Sequence, residues 1–333
     1  MIISRTPMRI SFFGGGTDYP KWFMKNKGTV ISTSINKYNY INVRYLPGFF
    51  SHKHCIRYYI REETQNVSQI KHNSVRETLK FLKIKKGVEI IHNADLPARG
   101  GLGSSSSFTV GLLNALNALK GNIKGKRTLG NDAIYIEQKK IKENVGSQDQ
   151  IAAAFGGLNK IDFDTKGDFV VNPYTLSQKN INEFEDSLMI FFLGLQRNAS
   201  TIAKHQINLI PKKQQELENI MSIVEEGDKQ LKKEKLDIKL LGNLLNEQWN
   251  IKKNLSSKIS NNKIDQIYKS AMDAGALGGK LCGAGGGGFI LFCARKNKQN
   301  KIKKKLKKLL NIPFKFDHTG SQIVYFQGQN DQI

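Results

Sequence analysis

From Pro97 onward the chain reads Pro-Ala-Arg-Gly-Gly-Leu-Gly-Ser-Ser-Ser-Ser, and Phe108, Val110, Leu112, Leu113, Leu116 and Leu119 then recur at roughly helical spacing. A loop with few bulky side chains must therefore open directly into an apolar helix. Glycines let a backbone approach a ligand closely, and the start of a helix presents unpaired N–H groups at the positive end of its dipole. Together these features suit a phosphate, and the serine hydroxyls add donors and an oxygen ligand for Mg²⁺. The plainer alternative is that the serines only cap the helix.

Two more glycine-rich segments lie far away in the sequence. Residues 1–13 alternate imperfectly between apolar and polar and break into Gly14-Gly15-Gly16-Thr17-Asp18, a strand entering a loop. There Asp18 suits hydrogen bonding to vicinal sugar hydroxyls, with a plain turn as the alternative. Residues 283–288 match G-x-G-x-x-G but lead into strand-like 289–293 instead of a helix, so a dinucleotide-binding fold is a poor reading. A standard P-loop is also excluded. The serine run lacks its lysine, and Gly278-Gly279-Lys280 has Ala274 at the first glycine position and Leu281 after the lysine.

At 333 residues the chain exceeds what one core usually serves, and two domains are expected, 1–180 and 181–333. Its 39% hydrophobic and 24% charged residues are ordinary for a soluble protein, and no apolar run suffices for a membrane helix. The first residues lack a secretory pattern. Only Cys55, Cys282 and Cys293 occur, without a C-x-x-C pair, so neither a disulfide framework nor a structural zinc site is indicated and a reducing cytoplasm is expected. The net charge of +24 points to anionic partners: nucleotides, sugar phosphates, RNA or anionic lipid. It does not choose among them.

Strands are expected over 29–35, 38–45, 55–60, 87–91, 187–193, 289–293 and 322–326. Helices are expected from Ser104, over 132–143, 263–274 and 297–310, with several amphipathic ones between 199 and 255, while 151–158 reads as a helix or turn. Strands and helices mix without a regular βα repeat, which favours an α+β fold.

Taken in order, Arg5 to Asp18, Leu96 to Ser107 and Lys280 to Phe289 resemble the three motifs of the GHMP kinases, and the resemblance spans nearly the whole chain. It implies a two-domain α+β fold, with an N-terminal domain containing a left-handed βαβ unit, a C-terminal ferredoxin-like domain, and the site between them. It also implies ATP and Mg²⁺ as cofactors and a small sugar phosphate as substrate. On this basis Pro97, Arg99, Gly100, Gly101, Leu102, Gly103, Ser104, Ser105 and Ser106 would hold the nucleotide.

By the same carry-over, Gly146-Ser147-Gln148-Asp149-Gln150 looks like the segment holding the catalytic aspartate, so Asp149 would be the base and Arg9 would steady developing negative charge. Ser105 and Glu137 would bind Mg²⁺. Gly15, Gly16, Thr17, Asp18, Gly285 and Gly286 would contact the sugar, and Arg197 would grip a phosphate on it.

Phe-Phe-Gly-Gly-Gly-Thr-Asp-Tyr-Pro stands where galactokinase has Gly-Glu-His-Thr-Asp, and it is most similar to the members acting on D-glycero-D-manno-heptose 7-phosphate at the anomeric oxygen. Another sugar such as fucose is the rival substrate. A non-catalytic RNA-binding or regulatory protein on the same fold is the rival from another class. Asp149, Glu137 and the serine loop favour catalysis, so no nucleic-acid or membrane partner is expected, and the oligomeric state stays open.

Overall fold

The computed structural model describes residues 1–194 and 199–328. Its first half is built on strands β1 (Ile2–Phe13) and β2 (Gly28–Tyr45), antiparallel over most of their length and connected through helix α1 (Pro20–Asn26). Pro7 has no N–H to give to a ladder, and it sits where the β1–β2 register slips. Asn36 and Lys37 take up the slip, so the strands expected over 29–35 and 38–45 are one strand with an irregularity inside it.

Strands β3 (His54–Arg57) and β4 (Arg61–Thr64), helix α2 (Asn73–Phe81) and strand β5 (Val88–Ala94) follow. Here β5 pairs antiparallel with the second half of β2 and parallel with β3. Helix α3 (Ser104–Leu119) packs across β1 and β2 and is buried nearly all round, which explains its apolar composition. Helix α4 (Lys126–Tyr135) runs into a π-turn over Ile136–Lys140. Helix α5 (Gln148–Phe155) and strands β6 (Leu158–Phe163) and β7 (Phe169–Pro173) then complete this half.

The second half contains α6 (Gln178–Asp186), β8 (Leu188–Phe192), α7 (Ala199–Leu209), α8 (Gln214–Leu231) and α9 (Ile238–Leu255). Helix α10 (Asn262–Asp273), the hairpin β9 (Gly278–Leu281) to β10 (Phe289–Cys293), α11 (Lys296–Lys305) and β11 (Leu310–Ile312) follow. Its antiparallel sheet has the order β11-β8-β10-β9, a ferredoxin-like β-α-β-β-α-β pattern with extra helices in the first crossover, so the molecule is α+β. The helix expected to reach residue 310 stops at Lys305, because Leu310 opens an edge strand.

Strands β12 (Phe316–Asp317) and β13 (Gln322–Phe326) return to the first sheet and pair with β2 and β1. This segment follows the second half in the chain but adds its strands to the first sheet. The two halves also share a core in which Phe12 and Phe13 pack with Phe184, Leu241 and Phe289. All three cysteines are free and buried, and among the described residues no helix is long and apolar enough to cross a membrane.

Asp317 fixes the returning segment. Its buried carboxylate accepts hydrogen bonds from the Tyr38 hydroxyl at 2.9 Å and from the amides of Thr319 and Gly320 at 3.0 and 3.1 Å. Asp317→Ala leaves these donors without an acceptor and is expected to lower stability by roughly 1.5–3 kcal/mol, read as a lower urea midpoint at unchanged slope.

Candidate active site

The loop before α3 is met by strand β1 and by the third glycine segment, both remote in sequence. The Arg9 amide donates to Leu102 O at 2.9 Å and the Phe289 amide to Gly100 O at 3.0 Å, so β1 and β10 hold the loop from two sides. Gly101 has φ +85°, and a Cβ there would lie 2.4 Å from Cys282 O. Only a bare backbone fits. Gly103 occupies the N-cap of α3 in the left-handed region and has no side chain to offer, so the first-turn N–H groups remain open to an anion. Pro97 and Arg99 stand exposed at the rim, and Leu102 is buried beneath it.

Beside this helix start, the buried Arg9 forms a fork with Asp149 in the first turn of α5. Its Nε and Nη2 donate to the two carboxylate oxygens at 2.8 Å each, and Nη1 donates to Gly101 O at 2.7 Å. A Cβ at Gly103 would lie 3.5 Å from Asp149 Oδ2, which places the carboxylate at the phosphate loop. Asp18 is buried on the far side, where its carboxylate accepts the Gly16 amide at 3.0 Å and presses on Gly146. Burial raises its pKa, the Gly16 amide opposes that rise, and the Asp149 charge adds to it.

Glu137, on the π-turn after α4, is 1% exposed. Its Oε2 accepts the Ser106 hydroxyl at 2.8 Å and the Gln150 amide at 2.5 Å, whereas Oε1 is buried without a well-formed hydrogen bond, with the Thr109 hydroxyl the nearby group that favours the charged form. Burial raises its pKa to about 7. An orphaned carboxylate oxygen beside a serine hydroxyl is a hard-oxygen donor set that fits Mg²⁺.

Several expected residues take other places. The Ser106 hydroxyl contacts Glu137, whereas Ser105 is exposed at the rim and does not touch it. Thr17 is fully buried, and its hydroxyl donates to Gly14 O and Thr29 O, so it braces the turn instead of facing a ligand. The Gly286 amide donates to Ile259 O, and Gly285 packs against the same residue, so both serve packing. Gly15 and Gly16 flank Gln148 and Leu217. Arg197 lies outside the described residues.

Three residues of the site escaped sequence reading. Lys280 on β9 is buried and donates to Ser11 O and Phe12 O at 2.7 and 2.9 Å, with its pKa pulled well down by burial. Lys252 and Gln248 on α9 reach the first and third glycine segments. Lys280 opens the third motif and could have been suspected, but nothing in the lysine-rich pattern of α9 distinguishes Lys252 from a solvated neighbour. A cavity of about 850 Å³ between the β7–α6 connection and the end of α8 lies away from all of these groups. The chemistry marks the site better than concavity does.

A helix start open to an anion, an arginine-locked carboxylate beside it and a buried glutamate with an unpartnered oxygen nearby are parts that suit a phosphotransferase. The chain matches "GHMP kinases N terminal domain" over residues 71–157 and "GHMP kinases C terminal" over 229–312, together just over half its length. It belongs to the GHMP kinase family. It is 29% identical over 320 residues to a D-glycero-alpha-D-manno-heptose 7-phosphate kinase of Campylobacter jejuni, covering 92% of this chain and 93% of that one. A galactokinase of Pyrococcus furiosus is 26% identical over 90% of this chain and 91% of its own. A solved D-glycero-D-manno-heptose 1-phosphate kinase of Bacteroides thetaiotaomicron shares the fold, with TM-score 0.74 and 24% identity over 98% of this chain and 100% of that one.

Because burial lifts Glu137 from 4.5 to about 7, the stability it contributes is complete below pH 4.5 and lost as pH rises through 7. In chelator-containing buffer, Glu137→Gln should gain on the wild type by on the order of 3 kcal/mol between pH 4 and 8. Urea titrations at both pH values check this, and a difference independent of pH would contradict it.

Proposed function

We propose that the protein is an ATP-dependent kinase that phosphorylates the anomeric hydroxyl of D-glycero-D-manno-heptose 7-phosphate to the 1,7-bisphosphate, a step toward nucleotide-activated heptose and surface polysaccharide. The observation that carries the kinase reading is the Arg9–Asp149 fork set against the open start of α3. The heptose is supported by the Phe-Phe-Gly-Gly-Gly-Thr-Asp wording of the first motif and by the similarity to the Campylobacter jejuni enzyme. A cytoplasmic setting accords with three unpaired, buried cysteines.

Phosphoryl transfer asks little covalent work of a protein, so positioning and charge neutralisation dominate. The N–H groups that open α3 would donate to the nucleotide phosphates, and the flanking loop would lie along them. Glu137 and Ser105 would hold Mg²⁺, with Ser106 orienting the glutamate, and the ion would supply positive charge to offset that of the nucleotide phosphates. Asp149 would accept the proton of the attacking sugar hydroxyl. All three nitrogens of the Arg9 guanidinium are already engaged by Asp149 and Gly101, so its first task is to aim that carboxylate. Asp18, Gly15 and Gly16 would face the sugar hydroxyls, and Arg197 would take the 7-phosphate.

Radiolabelled ATP with a panel of heptose 7-phosphate, fucose, galactose and mannose tests the assignment. Transfer to the heptose phosphate is expected, and turnover of an unphosphorylated sugar alone would replace it. Asp149→Asn should lower kcat by about 10²–10⁴-fold in a folded protein, and unchanged turnover would remove Asp149 from the role of base.

A further inference from the structure

Helix α9 sends two side chains, one turn apart, into the site. Gln248 accepts the Gly14 amide on Oε1 and donates to Phe12 O, both at 2.8 Å. Lys252, four residues on and 5% exposed, donates from Nζ to Gly283 O at 2.5 Å. One helix face therefore ties the first glycine segment to the third. Gly283 in turn lies against the phosphate loop, since a Cβ there would stand 2.5 Å from Gly101 Cα, and Gly101 O is the acceptor that Arg9 Nη1 uses.

A carbonyl needs only a neutral donor, and a buried ammonium is costly unless its charge has a use. The groups around Lys252 supply one. Its charge is felt by, and feels, the carboxylates of Asp18 and Asp149, the cations of Arg9 and Lys280, and the thiol of Cys282. We propose that Lys252 is a positioning residue for phosphoryl transfer: by holding Gly283 onto Gly101, its ammonium fixes the carbonyl on which Arg9, and through it Asp149, is aimed. This rests on the kinase reading but not on the identity of the sugar. Burial lowers Lys252 to about 8, so the charge-assisted bond to Gly283 weakens on the alkaline side.

Rate profiles from pH 6 to 10 for the wild type, Lys252→Met and Lys252→Arg test the idea. Transfer to the sugar phosphate and transfer to water are followed in the same ATP reactions, so a wrong sugar does not remove the comparison. Lys252→Met is expected to lower kcat on the order of 100-fold with KM for ATP little changed. Lys252→Arg is expected to recover much of that loss and to move the alkaline limb upward by more than one pH unit, because a guanidinium stays charged. Wild-type kcat in a folded Met variant, or an unmoved alkaline limb in the Arg variant, would overturn the proposal. If circular dichroism shows the Met variant unfolded, the limb of the Arg variant decides alone.

Discussion

At Gly101 and Gly283 two stretches of backbone approach until neither position can carry a side chain, and the rest of the structure is arranged around that contact. Gly101 belongs to the loop that opens α3, and Gly283 to the turn between β9 and β10. Their approach brings the first sheet and the ferredoxin-like sheet to one point. Gly288 repeats the theme, since a Cβ there would stand 2.2 Å from Gly100 O. A bare backbone here is a packing requirement first, and it also leaves the helix start uncovered for a phosphate.

Around this contact the fold buries charge at considerable cost. Arg9, Lys252 and Lys280 are each at most 5% exposed, and Asp18 and Glu137 at most 3%. The three cations are met by backbone or by an opposite charge and Glu137 Oε2 by the Ser106 and Gln150 side chains, while Glu137 Oε1 lacks a partner. A region built only for stability would replace such groups with apolar ones at little loss. The buried charges and the orphaned oxygen accord with the magnesium nucleotide proposed above.

How far the sequence revealed this depended on whether a signal was local. The start of α3 and the strands 289–293 and 322–326 were readable because glycine, serine and β-branched residues act within a few positions. The single strand β2 read as two because Asn36 and Lys37 look like a turn, and their bulge is set by Pro7 on the neighbouring strand. The return of β12 and β13 to the first sheet depends on bonds from Asp317 to Tyr38 across 279 residues, which no local pattern reports. The roles given to Asp149 and Glu137 came from resemblance alone, since a single carboxylate in a helix carries no mark of its partners.

The serine run shows the same limit at atomic scale. Four consecutive serines at a helix start point in different directions, since successive residues on a helix are about 100° apart. One must face inward and another outward, and the sequence does not say which. The structure turns Ser106 toward Glu137 and Ser105 toward solvent, while Ser107 donates to Thr6 O on β1. Repeating one residue type therefore lets a single short segment brace the sheet, orient the buried glutamate and leave a hydroxyl free at the rim.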